Sequence, residues 1–391
     1  MANEAFPYKV ISGIAGEFTQ LYSHYLEPPA EFFYFSFLTC LGSMLADKIS
    51  MATELKTQPR FYTVLIGESG NPRKSTAAQM TIEFFKEAFE GEFHHCYAVG
   101  SAEVLQRVIQ ETDTAGKLLI LFDEFKSFIS KCRIEGSVLL PCVNTLFESN
   151  HYESHTKTTS ICLDRAFLSI LACTTKDTFD GMWSSQFTDI GFNNRLFLVP
   201  GMGKRKNAIP LKIPDESKKQ VKSKLIEMMD WIKGCGGKLE LCLSDEARSR
   251  YEKWYKQELE STVHSTRLET YAMRLMPLLA VNEGKSEIDY AITEKVIALV
   301  DWQLEVRREL DPIDAENTIA RIEEKIRRQL QKNGECDKRH LQQYCNVKKH
   351  GIWFFHIALN NMKKYNEITF NQKAGLYSLA EGVVKNVVST R

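Results

Sequence analysis

The spacing of apolar residues changes several times along the chain. Up to about residue 58 they recur three and four positions apart, in Ile11 to Tyr25 and again in Glu31 to Ala46, with Pro28-Pro29 between. That period marks helices, and the prolines separate them. Phe32 to Leu45 is apolar nearly throughout, so its helix is expected to be a buried packing element. Beyond residue 60, continuous apolar runs alternate with helical stretches: Phe61 to Ile66, Leu118 to Phe122, Phe167 to Ala172 and Arg195 to Val199. Such runs suit strands covered on both faces, and the alternation predicts a parallel α/β sheet. Residues 201–214, rich in Gly, Lys and Pro, read as a linker. Helical spacing returns in Lys218 to Lys233, Ser244 to Val263, Thr266 to Asn282 and Thr293 to Leu310.

The tail predicts three helices, Glu316 to Asn333, Lys338 to Tyr344 and Ile352 to Tyr365. A strand, a turn at Lys373-Ala374-Gly375 and a second strand follow over Glu367 to Leu379. Three helices and then a hairpin is the order of a winged helix. The expected domains are a helical segment at 1–58, an α/β core at 59–205, a helical lid at 206–311 and a winged helix at 312–391.

Composition narrows the function classes. The chain has 391 residues, 43% hydrophobic and 26% charged, as ordinary globular proteins do. Lys plus Arg number 50, as do Asp plus Glu. Bulk charge therefore supplies no attraction to nucleic acid, and any such contact must be local. The ten cysteines form no C-x-x-C pair. Cys336, His340, Cys345 and His350 match no common zinc spacing, so reduced thiols in a cytoplasmic protein are expected. The start, MANEAFPYKV, lacks the basic and apolar pattern of a signal peptide, and no run approaches the ~20 apolar residues of a membrane span.

The chemistry concentrates in Gly67-Glu-Ser69-Gly70-Asn-Pro-Arg73-Lys74-Ser75-Thr76, which follows an apolar run and opens a helix. Backbone N–H groups of such a loop hold phosphate oxygens, and glycine allows close approach. Lys74 is placed to reach the β- and γ-phosphates of ATP, and the Ser75 hydroxyl to bind Mg2+. The pattern departs from G-x-x-x-x-G-K-[ST]. Arg73 stands where the last glycine belongs, and Gly67 lies one residue early.

A second element, Leu118 to Phe122 followed by Asp123-Glu124, ends a buried strand in two acids. Asp123 suits Mg2+ and Glu124 suits the attacking water; the plain alternative is a strand end with solvated acids. The third run ends in Cys173-Thr174-Thr175. Thr175, with Thr174 second, is the candidate to touch the γ-phosphate, against an ordinary role as cap. Arg195, just before the last apolar run, is the candidate to reach a neighbouring subunit's ATP, against a surface salt bridge.

Taken in order, G-x-S-G-x-x-R-K-S-T, I-L-F-D-E-F, L-A-C-T-T and G-F-N-N-R-L resemble an AAA+ ATPase, a P-loop NTPase class. They are most similar to a family of phage and mobile-element helicase-like proteins. That family is often fused to primases and related to the minichromosome-maintenance helicases. The likeness covers most of residues 5–310. It implies a ring, a hexamer, with Lys74, Ser75, Asp123, Glu124 and Thr175 acting from one subunit and Arg195 from the next. It also implies a lid arginine at the γ-phosphate, Arg274 ahead of Arg267. A pore hairpin is implied at His151 to Asp164, with His155 and Lys157 near its tip.

The implied function is an ATP-dependent DNA helicase or translocase, with single-stranded DNA in the pore. Nothing in the chain looks like a primase, so that activity would come from a partner. Lys348, Lys349, Lys363, Lys364 and Lys373 suit duplex DNA at the winged helix, whereas Trp353, Phe354 and Phe355 suit protein contact. The alternatives are a regulatory AAA+ switch or loader that recruits another protein, and a nucleotide binder with little hydrolysis.

Overall fold

The computed structural model describes residues 5–68, 73–112, 116–155, 160–183, 187, 191–203, 206, 209–310, 318–372 and 374–380, apart from the side chains of Val263, Lys349 and His350. The chain divides into two compact units, Met1–Met182 with Asp189–Asp311, and Trp183–Thr188 with Pro312–Arg391.

The first unit opens with α1 (Gly13–Tyr25), α2 (Ala30–Leu45), β1 (Ile49–Met51), β2 (Tyr62–Gly67) and α3 (Lys74–Ala88). It continues through β3 (His95–Tyr97), α4 (Ala102–Gln110), β4 (Lys117–Phe122), α5 (Phe125–Cys132) and α6 (Leu139–Glu148). Next come β5 (Tyr152–His155), β6 (Ser160–Leu163), β7 (Phe167–Thr175), α7 (Lys176–Gly181) and β8 (Phe197–Pro200). Five strands form a parallel sheet in the order β3-β4-β7-β2-β8. All four apolar runs of the sequence lie in it. β3 escaped notice because it is a three-residue edge strand carrying His95 and Tyr97.

Side-chain parity assigns the layers. Neighbouring residues of a strand point to opposite faces. Thr63 Oγ1 lies 2.7 Å from Thr39 Oγ1 of α2, while the Tyr62 hydroxyl donates to the Val143 carbonyl of α6 at 2.8 Å. Hence α2 covers one face and α6 the other. α3 packs beside α2, and α5 beside α6. Every residue of α2 from Glu31 to Leu45 is buried, as a helix apolar all round requires. Gly42 is needed at its point of closest approach, because a Cβ there would meet the Pro59 carbonyl oxygen at 1.9 Å.

The stretches expected to be wholly helical are not. β1 pairs in parallel with β9 (Leu239–Leu243), which also pairs with β10 (Glu287–Ile288). Leu239-Glu-Leu-Cys-Leu243 alternates with period two, a strand signal that the surrounding helices obscured. The helix expected over Ser244 to Val263 covers Asp245–Lys253, then loosens into a π-helical turn at Trp254–Glu258. The helices Asp215–Gly234, Leu268–Asn282 and Tyr290–Leu310 complete this unit.

The second unit contains the helices Thr318–Asn333, Lys338–Tyr344, Val347–His350 and Ile352–Lys364. Its strands β11 (Glu335–Asp337), β12 (Ile368–Asn371) and β13 (Leu376–Leu379) form an antiparallel sheet in the order β11-β13-β12. Ile322, Ile326, Leu330, Leu341, Phe355, Leu359 and Met362 form its core, which also takes in Cys336 and Cys345. The three aromatics of the last helix separate: Phe355 is buried, Phe354 packs at the core margin, and Trp353 is 65% exposed. Lys363 is stacked over the Phe370 and Tyr377 rings. Lys373 and the Lys349 side chain lie outside the described residues. No helix among the described residues is long and apolar enough to cross a membrane.

Candidate functional site

The carboxyl ends of β2, β4 and β7 share one rim. Gly67 lies opposite Thr175, and Phe122 opposite Ala172. Asp123, leaving β4, therefore emerges at the level of Cys173. Lys74 opens α3 and turns its ammonium back over the end of β2. It donates to the carbonyls of Glu68 at 3.1 Å and Gly67 at 3.4 Å. Burial lowers its pKa, opposed by Cys173, Glu124 and Asp123. It makes no ion pair among the described residues, so the ammonium is free to exchange its carbonyls for stronger anionic acceptors.

Ser75, one residue on, lies beside the thiol of Cys173. Burial pushes that thiol's pKa far up, and the Asp123 charge adds to the rise. Cys173 was not singled out from the sequence, although it shares a strand face with Thr175 and points toward α3. Asp123 and Glu124 are exposed, and their side chains make no hydrogen bond or ion pair among the described residues. Glu124 caps α5 through its backbone alone: its carbonyl accepts from the Ser127 amide and hydroxyl, and its carboxylate is not used. An ammonium, a hydroxyl and two carboxylates with no hydrogen bond or ion pair among the described residues thus stand around one rim. The oxygens of Ser75 and Asp123 suit a hard cation such as Mg2+.

Several expectations are placed differently. Ser69 and Gly70 lie outside the described residues. Thr76 sits half-buried in the first turn of α3. Arg73 adopts φ 43°, the left-handed conformation that glycine would take without strain. Its guanidinium is held by Glu27 at 2.5 Å rather than turned to the rim. Glu27, 9% exposed in the corner between α1 and α2, also accepts from the Lys206 amide at 3.1 Å. No motif marks such an acid in sequence. Thr175 does reach the rim, but its hydroxyl caps α7, accepting from the Thr178 amide at 3.2 Å and donating to the Thr178 hydroxyl at 2.8 Å. Thr174 is buried and donates weakly to the Thr175 carbonyl at 3.4 Å.

The arginines gather at the opposite end of the strands. Arg195 precedes β8 on a short 3-10 turn, donates to the Gly191 carbonyl at 2.8 Å and lies 3.9 Å from Glu148. Arg267, in the left-handed region at the head of the helix Leu268–Asn282, pairs with the same Glu148. Arg274 corrects its expectation. It is 2% exposed, donates to the carbonyls of Arg60 at 2.7 Å and Phe147 at 2.6 Å, and lies over the Phe147 ring. Burial lowers its pKa to about 10. An arginine on an apolar helix face does need a partner, but here the partners are carbonyls at the base of β2. Arg307, unremarked in sequence, is fully buried and ties the two arginine segments together, donating to Thr266 O at 2.7 Å and Asn194 O at 2.9 Å.

β5 and β6 form an antiparallel hairpin immediately before β7. His155 ends β5, its Nδ1 2.7 Å from the Ser160 hydroxyl; the tip, with Lys157, lies outside the described residues. A recess of about 390 Å³ lies away from the rim, at the start of β4 around Lys48, Lys117, Arg165 and Lys238. No family model and no curated protein matches this chain.

Proposed function

We propose that this chain is a ring-forming AAA+ ATPase that moves along DNA, as a helicase or translocase of a phage or mobile genetic element. One observation carries the reading: Lys74, Ser75, Asp123 and Glu124 stand at the carboxyl ends of neighbouring strands, and neither carboxylate makes a hydrogen bond or ion pair among the described residues. Lys74 exchanges its carbonyl partners for β- and γ-phosphate oxygens. Ser75 and Asp123 hold Mg2+, which neutralises phosphate charge. Glu124 orients the attacking water and takes its proton. β7 stands between the lysine strand and the acid strand, in keeping with a sensor position at its tip.

Arg195 and Arg267 stand a strand length from their own chain's rim, an arrangement that suits action on a neighbour's phosphates across a ring interface. The hairpin β5–β6 is the element we assign to single-stranded DNA in the pore. The second unit's helix–strand–helix–helix–helix–strand–strand order, with the four-residue helix Val347–His350 as an insertion, reads as a winged helix. The test is strand displacement by purified protein with Mg-ATP. Unwinding that disappears in Lys74→Ala is expected; absence of ATP-dependent unwinding or translocation on any DNA overturns the motor reading.

A second reading is a regulatory AAA+ switch that recruits another protein. Trp353 at 65% and Ile352 at 54% exposure are adjacent apolar side chains suited to a protein partner. ATP turnover that rises only when a partner protein is added favours the switch.

A further inference from the structure

We infer that the base of the β5–β6 hairpin is a binding site for a divalent transition-metal ion of the zinc class, ligated by His151, Cys162 and Asp164. The pairing register carries the argument. Glu153 lies opposite Cys162 and Tyr152 opposite Leu163. One step further toward the base, His151 faces Asp164. With two-residue alternation, His151, Glu153, Cys162 and Asp164 share one face of the ribbon, while Tyr152 and Leu163 share the other. The Leu163 face packs inward; the four donors are exposed.

Their geometry suits tetrahedral coordination. Bonds of about 2.0–2.1 Å to nitrogen or oxygen and about 2.3 Å to sulfur set ligand-to-ligand distances of roughly 3.3–3.6 Å. His151 Nδ1 stands 3.3 Å from Asp164 Oδ1, and Cys162 Sγ stands 3.4 Å from the same oxygen. All three donor atoms lie within 4.8 Å of one another. The other ring nitrogen of His151 lies 3.1 Å from Glu153 Oε1. That is the carboxylate support by which proteins orient a metal-bound imidazole. Sulfur and nitrogen donors select against Mg2+ and Ca2+, which take oxygen. Three protein ligands leave one position for water. On binding, the Cys162 thiol gives up its proton to solvent and its thiolate bonds the metal, so affinity falls as pH falls. The ion would clip β5 to β6 at the root of the hairpin, directly before β7.

The test is titration of the reduced, chelator-treated full chain with Co2+ and then Zn2+, followed by absorbance. One equivalent of Co2+ per chain is expected, with a thiolate-to-cobalt charge-transfer band that Zn2+ displaces. Cys162→Ser abolishes the band, and Cys235→Ser, at an exposed thiol elsewhere, leaves it intact. Glu153→Gln weakens binding by about 10–100-fold. All these side chains are exposed, so unchanged far-ultraviolet circular dichroism checks that the variants fold. No stoichiometric binding, or a band that survives Cys162→Ser, overturns the inference.

Discussion

Replacing Arg195 with alanine separates action within one chain from action between chains. β2 has six residues, so at about 3.3 Å each the rim lies ~20 Å from the base where Arg195 sits. That exceeds the reach of any side chain, and charge across it is screened within a Debye length of about 8 Å. Arg195 therefore cannot serve its own Lys74. The contacts it gives up include a hydrogen bond to Gly191, a 3.9 Å contact with Glu148, which keeps Arg267, and a place over the Phe147 ring. Those contacts are worth about 1–2 kcal/mol of stability, which a denaturant midpoint measured beside turnover separates from any catalytic loss. If Arg195 completes a neighbour's site, turnover instead falls by about 10³-fold or more.

The assay is phosphate release from Arg195→Ala chains alone, Lys74→Ala chains alone, and the two mixed before assembly. Each alone is inactive. In a random equal mixture, about one interface in four pairs an intact Lys74 with an intact Arg195, so activity recovers to about a quarter of wild type. Wild-type turnover by Arg195→Ala alone, or a mixture no more active than its parts, refutes the reasoning.

Three further outcomes follow from the geometry. Glu27→Gln frees Arg73 from its ion pair and lowers stability by about 1 kcal/mol, small because Arg73 is half exposed; an unchanged denaturant midpoint contradicts this. Arg274→Leu leaves the carbonyls of Arg60 and Phe147 unpaired and costs several kcal/mol, at about 1–3 each, while ATP turnover per folded chain is retained; selective loss of turnover would restore a catalytic role. Lys117 has its pKa pushed down to about 7, first by burial and then by Lys48, against an unfolded value of 10.5. Between those values the unfolded chain binds more protons, so this lysine destabilises the fold fully below pH 7 and progressively less as pH rises toward 10.5. Lys117→Met therefore raises the melting temperature at pH 6–7, with a gain that shrinks by pH 10; a pH-independent difference contradicts the cause.

The sheet was legible because its strands are buried on both faces and read as unbroken apolar runs. The rim was legible because Lys74-Ser75 and Asp123-Glu124 each sit where an apolar run stops. What escaped was pairing across distance. Glu27 and Arg73 are 46 positions apart in sequence, and nothing local links them. Cys173 looked like one more apolar residue, although strand parity turns it to Ser75. The resemblance and the apolar helix face both point to Arg274, but neither says which end of the sheet that arginine faces. The strand β9 was lost because its five residues lie between much longer helices.

The central claim is that this rim binds Mg-ATP and cleaves it through Glu124. Phosphate release and nucleotide affinity, measured together on wild type and Glu124→Gln, test it most directly. The account predicts affinity within a few-fold of wild type and turnover lower by about 10² or more. Unchanged turnover in Glu124→Gln, or no ATP binding by either chain, would contradict it.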